Sequence, residues 1–384
     1  MKKILIYRWK AYNYRDITGA FNRAGFEIDE ISQKLMNYDI DPEFEQVLRE
    51  KILSDSYEFV FTVNYFALIA EVCHDIGIPY VTWSCDNPLI SMYHQSVFYD
   101  TNRIFSFDFT GFSEFKSMGV KNIFYLPLAS DPDRMKAALS RPGDFKRGRD
   151  KITFIGRLYE RNSYDSIRKK LPDYLAGYFD AAVNAQSDLY GNNIFSDIMT
   201  SDILTELMKY IDFKKSERSL SDLGLVFSTT ALGFKTARVQ RIRALKRLSL
   251  KFPVTVYTNS STEEIPLADA PGPVDYWSEL PHIYKDSIIN LNMTIPNIKS
   301  GIPLRVWDIV STGGFVLSNY QAELPEYFKA GQDMDWFSCE DELVEKCAFY
   351  MAHPDICRKI GARAAEKAGE NTIDDRIREI LKHI

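Results

Sequence analysis

Two stretches of the chain set glycine beside cations, a combination that lets backbone close on a phosphate while a positive charge neutralises it. The first is Gly156-Arg157-Leu158-Tyr159-Glu160 and the second is Lys299-Ser300-Gly301-Ile302-Pro303-Leu304-Arg305. Gly301 permits close approach, Pro303 suits the first turn of a helix, and a helix starting there adds about half a positive charge at its N-terminus. Arg157 and Arg305 each present forked donors to phosphate oxygens, with each charge-assisted bond worth about 1.5–3 kcal/mol. A diphosphate fits that field. Asp308, three residues after Arg305, shares its helix face and can accept from both hydroxyls of a ribose. The plainer account of Asp308 is a surface Arg–Asp pair worth at most about 1 kcal/mol, just as glycine beside arginine is, taken singly, an ordinary structural feature.

Such residues act only when strand ends and helix starts hold them, and the chain supplies both. Residues 4–7, 26–31, 59–63, 78–83, 103–107 and 122–126 are apolar runs bounded by turn residues. Between them lie helical patterns over 16–24, 44–52 and 67–76, two of them closed by Gly25 and Gly77. Strands apolar on both faces, alternating with helices, predict a parallel sheet covered on each side, a Rossmann-like domain. The polar run SRPGDFKRGRD over 140–150 reads as an exposed connection, which sets a first domain over 1–145 and a second over 150–371. In the second, strands are expected at 152–155, 254–257, 288–291 and 315–318, with a helical insertion over about 163–222. Thr372 caps a last helix with an apolar stripe of Ile373, Ile377, Ile380, Leu381 and Ile384. In a parallel sheet, ligands bind beyond the carboxyl ends of the strands, which is where both glycine–cation stretches fall.

Bulk properties exclude several classes of function. A chain of 384 residues exceeds the size at which one core keeps growing, and 45% hydrophobic with 26% charged residues is a globular composition. The net charge of -6 offers no global field for nucleic acid. No run of about 18 apolar residues is present to span a bilayer, and the apolar start ends at Tyr7 before Arg8 and Lys10, so neither a membrane helix nor an export signal is expected. Peripheral membrane contact stays open. The five cysteines lack metal-ligand spacing and read as reduced thiols of a cytoplasmic protein. The Asp-x-Asp pairs at 131–133 and 333–335 read as surface loops, with no metal expected. The basic helix carrying Lys235, Arg238, Arg241, Arg243, Lys246 and Arg247 reads as a solvated face, with an anionic glycan or membrane surface as the sharper alternative.

The stretch GIPLRVWDIVSTGGFVLSNYQAEL at 301–324 resembles the donor-site segment of group 1 glycosyltransferases, and especially the CgeB-like (spore maturation protein) branch. The shared pattern is Pro-x-Arg-x-x-acid, then Gly-Gly-Phe, then Asn-Tyr-Gln. FIGRLYE at 154–160 resembles that superfamily's first strand and diphosphate loop, and residues 275–294 its segment before the donor loop. EVCHDIGIPYVTWSCDNPL at 71–89 and VKNIFYLPLASD at 120–131 are similar to the CgeB-like amino-terminal domain. The resemblance implies an α/β GT-B fold: two Rossmann-like domains facing across a cleft, nucleotide held by the second, acceptor by the first, and the final helix 372–384 packed back on the first.

It further implies a glycosyltransferase that takes a sugar from a nucleotide-diphosphate donor, a co-substrate in a protein without a cofactor or required metal. The acceptor would be a hydroxyl of a surface glycan, glycoprotein or related molecule. Donor-binding residues would be Gly156, Arg157, Lys299, Ser300, Gly301, Arg305, Asp308, Gly313 and Gly314. Asp308 falls on the second glutamate of the superfamily's Glu-x7-Glu motif and Ser300 on the first, so that motif is incomplete. Arg305 would stabilise the leaving diphosphate. The base for an inverting displacement is expected in the first domain at a strand end: Asp86 first, with Trp83 and Pro88 stacking on sugar, and His94 second. Asp86 also reads as a turn former before Pro88, and His94 as a surface loop residue. A binding protein that senses a nucleotide sugar, or a nucleotide-sugar epimerase of the same fold, are the alternatives.

Overall fold

The computed structural model describes residues 2–38, 40–141 and 151–384. The expected connection over 140–150, and with it the boundary at 145–150, therefore lies from residue 142 outside the described residues. Contacts divide the chain into two units. The first comprises Met1–Asp131, Lys214–Ser221 and Asn371–Ile384, and the second Pro132–Phe213 and Asp222–Glu370. The helix Pro132–Leu139 falls in the second unit because it packs on the helices Leu280–Asp286 and Leu304–Ser311, burying Met135 and Ala138.

The first unit is built on six parallel strands: β1 (Lys2–Tyr7), β2 (Phe26–Ile31), β3 (Val60–Val63), β4 (Tyr80–Trp83), β5 (Asn102–Ser106) and β6 (Ile123–Tyr125). Their order is β2-β1-β3-β4-β5-β6. The sequences VFTV and YVTW of β3 and β4 are buried throughout, as central strands covered on both faces must be. Because β1 lies between β2 and β3, connections leave it in opposite directions, and its carboxyl end is a topological switch point. The helix Ile373–Leu381 belongs to this unit. Thr372 and Asp375 form a reciprocal capping box, and Ile373, Ile377 and Ile380 are buried, each contributing about 1.5–3 kcal/mol. The helix packs on Tyr14–Arg23, where Arg23 pairs with both Asp131 and Asp374. Its apolar stripe stops short of the expected end, since Ile384 is exposed.

In the second unit, β7 (Ile152–Ile155), β8 (Val254–Tyr257), β9 (Ile289–Asn292), β10 (Val316–Asn319) and β11 (Asp335–Phe337) form a parallel sheet in the order β11-β10-β9-β7-β8. Here β7 lies between β8 and β9, so the switch point is at the β7 and β9 carboxyl ends. The strand β11 arises where a surface loop is expected. Asp335 is buried, accepts from the Tyr350 hydroxyl and pairs with Lys346, and Asp333 is buried too. Both carboxylates of that Asp-x-Asp pair are structural.

After β7 the chain runs through helices over Ser163–Arg168, Asp173–Ser187, Phe195–Ile198, Ser201–Leu207 and Leu223–Phe227. They enclose a core of their own with Tyr164, Leu175, Phe179, Phe195 and Phe227, separate from the core under the sheet. Residues 214–221 leave this helical region to join the first unit, where Arg218 pairs with Glu71 at 2.6 Å and backbone bonds link Gln95 to Arg218 and Leu220 to Tyr93. A π-helical segment over Ser228–Gly233 then feeds the helix Phe234–Ser249.

Candidate active site

The β7 carboxyl end runs into Gly156. A Cβ there would lie 3.2 Å from the Arg305 guanidinium and 3.2 Å from the Phe154 ring, so glycine is what lets Arg305 close on this loop. Arg157 follows and is exposed, with no side-chain partner among the described residues. The loop is then fixed on both sides: the Leu158 N–H donates to the Ser260 hydroxyl at 2.9 Å, and the Tyr159 ring stacks on Phe234 at 5.0 Å.

Arg305 stands in the first turn of the helix Leu304–Ser311, for which Pro303 supplies an extended N-cap. Its guanidinium donates to the side-chain oxygen of Asn292, the last residue of β9, at 3.2 Å. Asn292 is itself buried and anchored by bonds from its amide to Thr294 and Ser318. The sheet thus orients Arg305 through a neutral hydrogen-bond partner at the positive end of the helix, within electrostatic range of the Asp308 carboxylate. Lys299, Ser300 and Gly301 lead into this helix. Ser300 and Gly301 are buried and Lys299 is half-buried, with the Ser300 carbonyl accepting from the Glu323 N–H.

One turn on, Asp308 is only 2% exposed. Its Oδ2 accepts from the Tyr276 hydroxyl at 2.8 Å, and its Oδ1 lies 3.8 Å from the Arg134 guanidinium without a hydrogen-bond partner among the described residues. Arg134 lies 5.2 Å from the Tyr276 ring centre and 4.8 Å from that of Trp277. Burial raises the Asp308 carboxyl to about 6, against the opposing pull of Arg134 and the Tyr276 bond. Asp308 is therefore no member of a surface Arg–Asp pair, but a buried carboxylate facing Arg134 on one oxygen and Tyr276 on the other.

The remaining expected residues fall elsewhere. Gly313 and Gly314 sit before β10, at the amino end of the sheet and away from the phosphate loops. Gly313 turns the chain at φ 72°, and the missing Cβ of Gly314 admits the Tyr284 carbonyl, which a side chain would meet at 2.5 Å. Both lie where chain segments pack closely, at the opposite end of the sheet from Gly156 and Arg305. His94 is buried, its Nδ1 accepting from the Ser96 N–H to cap a short helix, with Glu71 at 3.9 Å. It caps that short helix from a buried position, where a surface residue is expected. Asp86 is exposed past the end of β4 and accepts from the Asn64 amide at 2.7 Å. Trp83 is buried with its indole N–H on the Leu126 carbonyl, so it offers no face to a sugar.

Sequence reasoning passed over Arg241. The helix Phe234–Ser249 does carry ion-paired cations outward: Lys235 with Asp165, Arg238 with Glu264, Arg243 with Asp188 and Glu340, and Arg247 with Asp341. Arg241 instead points inward and is 4% exposed. The signal was present, since Arg241 sits four residues after Ala237 and four before Leu245, on the helix's buried stripe. Its Nη1 donates to the Arg157 carbonyl at 2.6 Å and its Nη2 to the Met293 carbonyl at 2.7 Å. Burial lowers its pKa to about 10.

Comparison with known proteins agrees with this geometry. A family model described as glycosyl transferase-like matches residues 238–382. Among curated proteins, none matches the chain. Solved structures do. Anabaena HepE in complex with UDP and glucose superposes with a TM-score of 0.58 at 9% identity, covering 100% of both chains. Sucrose-phosphate synthase from Thermosynechococcus elongatus gives 0.57 at 9% identity, covering 100% of this chain and 98% of that one. A glycosyltransferase from Rickettsia africae gives 0.54 at 10% identity, covering 99% and 97%. No helix among the described residues is long and apolar enough to cross a membrane. At these identities the likeness speaks to architecture, and the architecture is α/β of the GT-B type, two Rossmann-like units with parallel sheets of six and five strands.

Proposed function

We propose that the protein is a glycosyltransferase of the CgeB-like kind, moving a sugar from a nucleoside-diphosphate donor to a hydroxyl of a glycan, glycoprotein or related acceptor. The observation that carries this reading is the gathering of cations at the second unit's switch point. Arg305 meets Gly156 beside Arg157, at the start of a helix, with only neutral hydrogen-bond partners. Donors fixed in this way before the reaction stabilise charge developing on a departing diphosphate without reorganisation. Backbone near Gly156 and Gly301 and the Lys299 cation complete the cradle. Asp308, buried one turn after Arg305 and oriented by the Tyr276 hydroxyl, would accept from ribose. In the first unit, Asp86 would take the proton of the acceptor hydroxyl, with Asn64 holding its carboxylate in place.

The test is incubation with a panel of nucleotide sugars, with and without cell-surface glycan, while released nucleotide and altered sugar are followed. Release that depends on glycan is the expected result. Conversion of the sugar without an acceptor makes the protein an epimerase, and binding without turnover makes it a sensor. No binding to any member of the panel ends the reading.

A further inference from the structure

Arg241 is a buried guanidinium held by two carbonyl oxygens beside the Tyr159 side chain, with no carboxylate among its hydrogen-bond partners. Its two bonds join the loop after β7, through the Arg157 carbonyl, to the loop after β9, through the Met293 carbonyl. Those are the two loops that flank the switch point. Its Nε finds no partner among the described residues. The group lies 5.4 Å from the Phe154 ring centre and 5.0 Å from that of Tyr159, and Arg305 lies 6.0 Å from the same Phe154 ring. Two like charges thus share one aromatic ring. No carboxylate acts on Arg241, and the helix's neighbouring cations take Asp165 and Glu264 for themselves, through Lys235 and Arg238. Burying one charge beside another with only dipoles for company is costly unless an anion completes the set.

We propose that Arg241 is a positioning residue of the donor site, holding the β7 and β9 loops together under the pyrophosphate and adding its own charge to the field the ligand meets. This rests on the nucleotide-sugar reading and deepens it: the ligand must bring more than one negative charge. A residue that merely locked two loops would affect every ligand of the site alike. A residue that also contributes charge favours the diphosphate over the monophosphate.

The experiment measures, by titration calorimetry on the full chain, the affinities of UDP, UMP and uridine for the wild-type protein, Arg241→Gln and Arg241→Lys. Arg241→Gln should weaken UDP at least about tenfold, equivalent to about 1.4 kcal/mol, and UMP by less. Arg241→Lys should keep the ratio of UDP to UMP affinity while losing part of both. Unchanged UDP affinity in a folded Arg241→Gln protein, or an equal loss for all three ligands, overturns the inference. Should the Gln variant not fold, Arg241→Lys decides, because wild-type UDP affinity and donor turnover in that variant would show that the paired carbonyl bonds do nothing. If the wild-type protein binds UDP and Arg241→Gln binds it equally well, only this inference falls. A wild-type protein that binds none of a wider panel of nucleoside diphosphates removes the donor-site reading and this one with it.

Discussion

The two switch points of the molecule have one topology and opposite chemistry. At the second unit's switch point a buried guanidinium bridges the strand ends, Arg241 tying the Arg157 carbonyl to that of Met293. At the first unit's, an indole does so, with the Trp9 N–H donating to the Val63 carbonyl at the end of β3 at 2.6 Å. Trp9 packs edge-on to Phe66 at 6.0 Å, and Tyr38 stacks on Phe66 at 5.9 Å. Beside this aromatic group stand Asn64, left-handed at φ 64°, and Asp86. Parallel sheets place a ligand site at each crevice, and the side chains there choose the ligand. Arginines with neutral hydrogen-bond partners suit a pyrophosphate. Aromatic faces with a single carboxylate suit an uncharged, hydroxyl-bearing molecule that gives up a proton.

Removing charge from the first of these sites breaks the contrast most. Arg305→Ala takes away the guanidinium aimed past Gly156, and loss of one preorganised donor to a leaving oxyanion costs about 100- to 1,000-fold in turnover. We expect a fall of that size in sugar transfer, with the melting temperature near the parent's because Arg305 is half-buried and has one neutral side-chain partner. Turnover equal to the parent's would remove Arg305 from the chemistry.

The second site gives a smaller but cleaner separation. In Asp86→Asn the group that accepts the proton is lost, and general-base contributions start at about 100-fold. Transfer should fall by about that factor while donor affinity, measured by calorimetry, stays at the wild-type value. A variant that transfers normally leaves Asp86 as a turn residue held by Asn64.

The contrast between the sites was only half legible in the sequence. Strand positions, and the glycine–cation loops at their ends, follow from apolar runs bounded by turns, and those features are local. The strand β11 was missed because DMDW shows no apolar alternation, and Asp335 is tolerated there only through Tyr350 and Lys346 on a helix that follows. Gly313 and Gly314 resemble a ligand loop, yet the close approaches they permit are to the Lys285 ammonium and the Tyr284 carbonyl. The burial of His94 and Trp83 is not legible in their type and position, since for Trp83 the hydrogen-bond partner lies more than thirty residues away. Arg241 shows the same limit in reverse. Its place on the buried stripe between Ala237 and Leu245 is legible in the spacing, but the two carbonyls that hold it lie on distant loops that the spacing does not show.

Asp308 is where the two kinds of evidence can be set against each other with pH. Its folded-state carboxyl is raised from 3.8 to about 6, chiefly by burial. The protonated form is therefore the one the unliganded fold prefers, and the associated stability is intact below the ordinary carboxylate range and lost as pH rises through about 6, by on the order of 3 kcal/mol. Asp308→Asn should abolish that slope, so the wild-type melting temperature should fall relative to the variant's over this interval. Ribose hydroxyls donate best to the ionised carboxylate. Donor affinity should then rise as pH passes through about 6, by roughly tenfold at most, and Asp308→Asn should bind donor weakly with no such rise. If calorimetry across this range gives parallel curves for the two proteins, Asp308 is a buried structural acid held by Tyr276 and Arg134, and the sugar of the nucleotide is held by other groups.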